Sequence, residues 1–184
     1  MLLFWERGYD TVSIRDLTGA MGISPPSLYA AFTDKETLFA EAVDAYAGKY
    51  GGYIEESMVD GRTAREAVTR LLTRAAHQQT LPGRPAGCLI LDGATNHTVA
   101  SAPIVARLRA RRCDTAAMIE RRILVDIESG VLPASTDPHW LATFVMTVWR
   151  GLSQLARDGR DRDDLEGAVA IAMTAWPDDN HDEP

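Results

Sequence analysis

The chain has 184 residues and carries 26 acidic and 19 basic side chains, which gives a net charge of −7 and a pI near 5.1. This acidity argues against a nonspecific nucleic-acid coat and against a general membrane binder, because both depend on excess positive charge. The length is sufficient to bury a sizeable core, either in one compact body or in two linked helical parts.

Several classes of segment and site are absent from the sequence. No run approaches the roughly eighteen apolar residues of a membrane span, and the first residues lack a signal-peptide pattern, so a cytoplasmic protein without a membrane partner is expected. Cys88 and Cys113 have neither a C-x-x-C nor a zinc spacing, which predicts buried thiols, with a redox switch as the alternative. Metal, cofactor and catalytic motifs are missing, which argues against an enzyme.

The first strong helix signals begin at Ser13. Ser13 and Asp16 have the spacing of a capping box, and Ile14, Leu17 and Met21 follow on one apolar face. The sequence then predicts a short turn over residues 22–24, in which Gly22 adopts a left-handed conformation and Ile23 enters the core.

The next helix is predicted to begin at about Pro25. Ser24 is a good N-cap, and prolines fit first-turn positions whose N–H groups have no partner within the helix. Leu28 and Phe32 lie four residues apart and can anchor the helix to a core. The outward positions then hold small side chains, and Asp34 caps a longer helix. This pattern is typical of a helix-turn-helix, although many helical hairpins share it.

The residues in this region match a known family almost without a gap from Leu3 to Phe39. Residues 8–17, 21–24, 27–29, 32 and 34–39 closely resemble the DNA-binding domain of TetR-family (AcrR-like) transcriptional regulators. The resemblance implies a helix-turn-helix domain over residues 1–46 and a double-stranded DNA operator as partner. Carried over residue by residue, it implies these DNA contacts: Thr11, Ser13, Arg15, Ser24, Pro25, Pro26, Ser27, Tyr29, Ala30 and Lys35.

Each implied contact has a simpler alternative. Tyr29 could be a core aromatic and Lys35 a solvated first-turn lysine, but a helix N-terminus favours anions and therefore phosphate contact. Pro25 and Pro26 could serve only to start the helix. Ala30 stands where relatives often carry larger side chains, so base reading is expected to depend on thymine methyl groups or DNA shape.

Two features depart from the family pattern. The family's first helix is longer and often follows a basic arm, so the first helix here is expected to be truncated. Residues 1–46 hold three basic and seven acidic side chains, a net charge of −4. Because phosphate contacts supply much of the affinity for DNA, this sign predicts weak DNA binding if no residues precede Met1.

The remainder of the chain also has helical patterns and no strand pattern of useful length. Helices are predicted over about 63–80, 88–99, 102–129, 137–158 and 162–176, and residues 178–184 are expected to form a disordered acidic tail. The fold class is therefore all-α with about nine helices. Residues 47–177 would form an effector-binding and dimerisation domain.

The last two helices are apolar on more than one face. One small domain cannot bury both sides of both helices, so two copies of each are predicted to form a four-helix bundle in a homodimer, as the resemblance also implies. The alternative is a single well-buried core. The predicted interface consists of Phe144, Val148, Gly151, Leu152, Leu155, Val169, Ala172, Met173 and Trp176.

The resemblance implies a small-molecule effector bound among the middle helices. The predicted lining consists of His77, Leu91, Asn96, Met118, Phe144 and Trp149, with ordinary packing as the alternative for each. Four arginines between residues 107 and 112 are expected to lie on the solvated side of their helix, where they can pair with local acids, and a nucleic-acid contact is the alternative. The leading hypothesis is a ligand-responsive repressor. A helical ligand-binding or protein-interaction dimer without effective DNA binding is the alternative.

Overall fold

The computed structural model describes residues 1–95 and 97–177, and in those residues it contains α-helices and no strand. The all-α prediction is confirmed. The ten helices are α1 (Leu2–Arg7), α2 (Ile14–Met21), α3 (Pro25–Ala31), α4 (Lys35–Tyr50), α5 (Gly52–Asp60), α6 (Ala64–Thr80), α7 (Leu89–Asp92), α8 (Ala102–Glu128), α9 (Pro138–Arg157) and α10 (Arg162–Ala172). Short 3₁₀ turns cover Val99–Ser101 and Met173–Ala175. The predicted acidic tail, residues 178–184, lies outside the described residues.

The helix count exceeds the prediction because the glycines after residue 47 do not end helical structure. Gly51 keeps right-handed helical angles (φ −96°, ψ −13°) and donates a hydrogen bond to the carbonyl of Ala47 at 2.8 Å. A Cβ atom at this position would lie 2.6 Å from that carbonyl oxygen, so the tight junction requires glycine. Helix α5 starts directly after it.

The predicted helix over residues 88–99 is much shorter in the structure. Only Leu89–Asp92 is α-helical, and a separate 3₁₀ turn follows at Val99–Ser101. The carbonyl of Gly93 accepts a hydrogen bond from the backbone N–H of Tyr9 at 2.9 Å. The Gly93 carbonyl therefore bonds to the segment after α1, which is distant in sequence, rather than continuing the helix.

The predicted helix starts around the helix-turn-helix are confirmed. Ser13 and Asp16 form the capping box, and Gly22 is left-handed (φ 65°). The side chain of Asp34 accepts a hydrogen bond from the backbone N–H of Thr37 at 2.7 Å. The prediction for Ile23 was wrong: its side chain is 37% exposed, because only its backbone N–H turns inward, to the carbonyl of Thr18.

Aromatic packing holds the N-terminal helices together. Phe4, Trp5, Leu28 and Phe39 are almost completely buried, and the rings of Phe4 and Phe39 meet edge to face at 5.0 Å. Such pairs add stability beyond the apolar area that they bury. Short α1 is therefore a packed element of the N-terminal region.

Helix α6 lies at the centre of the second half of the fold. It packs against α5, α8, α9 and α10, and Leu71 and Leu72 on α6 are fully buried. Cys88 is buried as expected. Cys113 is exposed, so the prediction of a buried thiol there was wrong, and the two cysteines are not joined in a disulfide.

Candidate nucleic-acid interface and effector pocket

Helix α3 presents nearly all of its predicted contact residues to solvent. Leu28 is fully buried and anchors the helix, while the hydroxyl of Ser24 accepts the backbone N–H of Ser27 at 3.3 Å. Tyr29 is 49% exposed, so it is not a core aromatic. The remaining exposed members of this face are Ser24, Pro25, Pro26, Ser27 and Ala30.

The three predicted residues at the start of α2 lie on the surface. Ser13 is occupied in the capping box, and the hydroxyl of Thr11 donates to the carbonyl of Arg7 at 2.6 Å. The guanidinium of Arg15 makes no hydrogen bond or ion pair within residues 1–95 and 97–177. Arg15 is therefore available to an anion.

Lys35 is held in place by an aromatic ring. Its Nζ lies 4.2 Å from the ring centroid of Tyr9, a cation–π contact, and the side chain is half-buried. Burial lowers the pKa of Lys35, and the nearby carboxylate of Asp10 acts in the opposite direction. The ammonium group is therefore fixed at the first turn of α4, which differs from a freely solvated lysine.

Asp10 joins the N-terminal region to the segment before α8. Its carboxylate accepts hydrogen bonds from the hydroxyl of Ser101 and from the backbone N–H of Thr98, the latter at 2.9 Å. Burial alone would raise the pKa of Asp10, but these two hydrogen bonds hold it below the usual value. The carboxylate is therefore ionised near neutral pH, and the link weakens only as the pH falls through that lowered pKa.

Helix α1 is tied to the C-terminal half by two further side chains. The indole N–H of Trp5 donates to the carbonyl of Gly87 at 3.2 Å. Arg157 on α9 donates to the carbonyls of Trp5 and Glu6 at 3.1 and 2.8 Å. Movement of the C-terminal helices would therefore displace α1.

Two of the four clustered arginines pair with an acid on another helix. Arg107 and Arg111 on α8 both contact the carboxylate of Asp44 on α4, at 3.0 and 2.5 Å. All three side chains are more than 40% exposed, so each pair is worth only about 0.2–1 kcal/mol. These two arginines do pair with an acid, but the acid is distant in sequence rather than local, and this pairing shows that α4 and α8 are neighbours.

A cavity of about 480 Å³ lies between α4, α5, α8 and α9, next to the segment around α7. Among the predicted lining residues, Leu91, Met118 and Trp149 contribute to its wall. His77 does not line the cavity, because α6 supplies no side chain to it. Phe144 does not line it either, since α9 contributes Met146 and Trp149 to the wall instead. Asn96 lies outside the described residues.

Sequence reasoning missed the three tyrosines of this wall. Tyr46, Tyr50 and Tyr53 all line the cavity, and the rings of Tyr46 and Tyr50 are 5.5 Å apart. Their spacing of four and three residues is a helical signal that could have identified them. Burial raises the pKa values of Tyr46, Tyr53 and Cys88, so all three side chains are neutral near pH 7.

The predicted dimer residues divide into two groups. Leu152, Val169, Met173 and Trp176 are at most 6% exposed within one protomer, so the protomer already buries these four side chains without a partner. They are buried because α9 and α10 pack against α6 and against each other. Phe144, Val148, Gly151, Leu155 and Ala172 remain partly or fully exposed. Ile171 on α10 was not among the predicted interface residues, and its side chain is 74% exposed.

Comparison with known proteins identifies the family. Residues 1–42 match the family model described as "Bacterial regulatory proteins, tetR family", and residues 63–172 match "Tetracyclin repressor-like, C-terminal domain". The chain belongs to the TetR family. Two curated TetR-type relatives from Escherichia coli K12 align over nearly the whole chain. The HTH-type transcriptional repressor ComR is 28% identical, and the alignment covers 96% of this chain and 85% of ComR. The corresponding values for the HTH-type transcriptional repressor BdcR are 30%, 95% and 83%.

A solved structure of a TetR-family regulator matches this fold throughout. A cysteine mutant of the transcriptional regulator CifR is 40% identical, with a TM-score of 0.91, and the match covers 96% of this TetR-family chain and 92% of that chain. That protein was solved in complex with a 26 bp double-strand operator DNA.

In residues 1–95 and 97–177 of the present chain, no helix has the length and hydropathy needed to cross a membrane. In the same residues, no cluster of three or more His, Cys, Asp or Glu side chains is placed to hold a metal ion.

Proposed function

We propose that this TetR-family protein is a transcriptional repressor that binds a near-palindromic DNA operator in the cytoplasm as a homodimer and is released by a small molecule. The observation that carries the proposal is the exposed face of α3, which is capped at Ser24 and anchored by buried Leu28. The full-length likeness to CifR, which was solved on operator DNA, supports it.

The proposed DNA contacts are of two kinds. Tyr29, Lys35 and the residues at the start of α2 would bind phosphates, because they carry hydroxyl, ammonium or guanidinium groups or lie at a helix N-terminus. The outward residues of α3 offer few hydrogen-bonding groups to bases. Ser27 is the exception, and Pro25, Pro26 and Ala30 would contact thymine methyl groups or follow the shape of the groove.

Dimerisation would set the spacing of the two reading helices. An apolar stripe on α9, formed by Phe144, Val148, Gly151 and Leu155, is left partly exposed by one protomer. Its burial against a second copy would give a two-fold dimer. Two α3 helices can enter successive major grooves when they are about 34 Å apart.

Helix α4 offers a direct route from effector to DNA. Lys35 stands in its first turn, Asp44 in its middle pairs with α8, and Tyr46 and Tyr50 near its end line the cavity. A ligand shifts the equilibrium between two states only if it binds one of them better. A small molecule that displaces these tyrosines would change the position of α4 and therefore the spacing of the two α3 helices.

The test is a fluorescence anisotropy titration of the purified protein with the DNA that flanks its own gene, across a salt series. We expect a sequence preference over scrambled DNA of the same length, and affinity that falls with salt as phosphate contacts are lost. Equal binding to both DNAs at low salt would contradict the repressor function. That result would favour a ligand-binding dimer without effective DNA binding, for which the net charge of −4 in residues 1–46 is the supporting observation.

Replacing Lys35 by glutamine should weaken binding to all DNA sequences by about tenfold, because one phosphate contact is removed. The salt dependence should fall by about one unit of slope. Lys49→Gln is the matched control. Lys49 is also on α4 and its Nζ lies 5.1 Å from the ring centroid of Tyr50, but it is in the last turn, at the other end of the helix from Lys35. Equal losses in the two variants would place Lys35 outside the DNA contact.

A further inference from the structure

The cavity beside α4 has the size and the lining of a small-molecule site. Its volume of about 480 Å³ falls within the range of such sites. Tyr46, Tyr50, Tyr53 and Trp149 line it, and the rings of Tyr53 and Trp149 lie 6.3 Å apart. Met118 and Met146 add flexible thioethers that adapt to a ligand's shape. These side chains favour a flat, apolar molecule.

One cation in the wall has no anion to balance it. Arg112 is half-buried, and its guanidinium donates to the carbonyl of Ile90 at 2.8 Å. It forms no ion pair within residues 1–95 and 97–177, whereas its neighbour Arg111 is paired with Asp44 at 2.5 Å. Partly buried charges are normally paired, so this guanidinium can donate hydrogen bonds to the carboxylate of a ligand.

Within the described part of the chain, the other charged groups near Arg112 leave it without an ion-pair partner, although Asp92 partly offsets its charge. Asp92 is already hydrogen-bonded by the hydroxyl of Ser153 at 2.6 Å, and Arg150 adds positive charge. Burial is the main cause that lowers the pKa of Arg112. Glu55 and Asp114 also line the cavity but are exposed. These two acids repel a doubly charged anion such as a phosphate more strongly than a singly charged carboxylate, which also matches one guanidinium.

We propose that this cavity binds a small aryl carboxylic acid, with the carboxylate on Arg112 and the ring between the tyrosines and Trp149. The assignment names the ligand class of the effector site, so its regulatory meaning rests on the proposed function. Binding itself is independent of DNA. It can therefore be measured on the protein alone.

The probes are benzoate, phenylacetate and 2-naphthoate, each paired with its neutral amide. Calorimetry and quenching of tryptophan fluorescence report binding to the full chain without DNA. We expect at least one acid to bind tenfold or more tightly than its amide, because only the acid gains a charge-assisted bidentate contact. Equal affinities for every acid and amide, or no binding by any acid at millimolar concentration, would overturn the proposal.

Variants at two arginines separate a specific contact from general charge. Arg112→Gln should lower the affinity for the acid about tenfold or more and leave amide binding unchanged, while Arg112→Lys should keep part of the preference for the acid. Arg109→Gln is the matched control, since Arg109 is an exposed arginine on the same helix. An equal loss in Arg109→Gln and Arg112→Gln would overturn the assignment. If Arg112→Gln misfolds by circular dichroism, the acid-to-amide ratio in Arg112→Lys decides.

The operator titration distinguishes this inference from the proposed function. Acid binding without a DNA sequence preference supports the ligand assignment and contradicts the repressor. A DNA sequence preference without acid binding supports the repressor and contradicts the ligand assignment. Operator release by the same acid, lost in Arg112→Gln, would support both.

Discussion

Replacing Gly151 by arginine should separate the proposed dimer and weaken operator binding by about a hundredfold or more. A dimer holds its second reading helix at high effective concentration beside the second half-site, and this avidity is typically worth about 10²–10⁴ in affinity. The monomer would retain only one α3 contact. Analytical ultracentrifugation and anisotropy on the same samples measure both effects.

Gly151 is a suitable position because the change should not harm the protomer itself. The residue is exposed on α9, and a Cβ atom built there has no other heavy atom within 4 Å. Arginine is also a better helix former than glycine by roughly 0.8 kcal/mol. Damage is therefore expected only where a second chain covers this surface, because a close helix contact there would have to bury the added charge.

Thr143→Arg is the control for added bulk and charge. Thr143 is exposed on the same helix but lies about 80° around its axis from Gly151, away from the apolar stripe. It should leave the dimer intact. If Gly151→Arg remains dimeric with unchanged operator affinity, the interface lies on another surface.

Local features of the fold were predictable because they depend on neighbouring residues. The caps at Ser13, Ser24 and Asp34 and the left-handed Gly22 require only residues within three positions, and all are present. The missed helix α5 is different. Gly51 is tolerated between two helices because its backbone packs against Ala47, and composition alone favoured a break.

Features that depend on distant residues were predicted less well. Hydrophobic periodicity identified α9 and α10 as apolar on several faces, but it could not say which face α6 covers. Trp176 and Leu152 were therefore assigned to a partner although the protomer buries them. In the same way, Lys35 was recognised, but its position over Tyr9, 26 residues away, requires the folded chain.

The cavity was predicted only in part. Leu91, Met118 and Trp149 were selected from the middle helices and do line it. Arg112 was grouped with its neighbours as a solvated arginine, because no sequence pattern distinguishes it from Arg111. Only the fold shows that Arg111 has an acid on α4 as partner while Arg112 turns to a backbone carbonyl.

Replacing Asp126 by alanine should lower the free energy of unfolding by about 3 kcal/mol, since it removes a buried acceptor that serves two donors. Asp126 is 3% exposed. Its carboxylate accepts the backbone N–H of Ala64 at 2.5 Å and a guanidinium N–H of Arg122, also at 2.5 Å. Ala64 is fully buried at the start of α6, so its N–H would lose its acceptor at a position away from bulk solvent.

This network also determines how α6 and α8 meet. Arg122 additionally donates to the carbonyl of Arg62 at 2.7 Å, so the loop before α6 is held to α8 by one carboxylate and one guanidinium.

Two further variants test the role of the carboxylate. Asp126→Asn should lower the free energy of unfolding less than Asp126→Ala does, because the amide oxygen can still accept one hydrogen bond. Glu128→Ala removes an exposed acid from the same helix and should change stability by less than about 0.5 kcal/mol. Urea unfolding of all variants at one protein concentration measures the differences, since dimerisation makes stability depend on concentration. Equal stability of Asp126→Ala and Glu128→Ala would mean that the carboxylate contributes nothing to the α6–α8 junction.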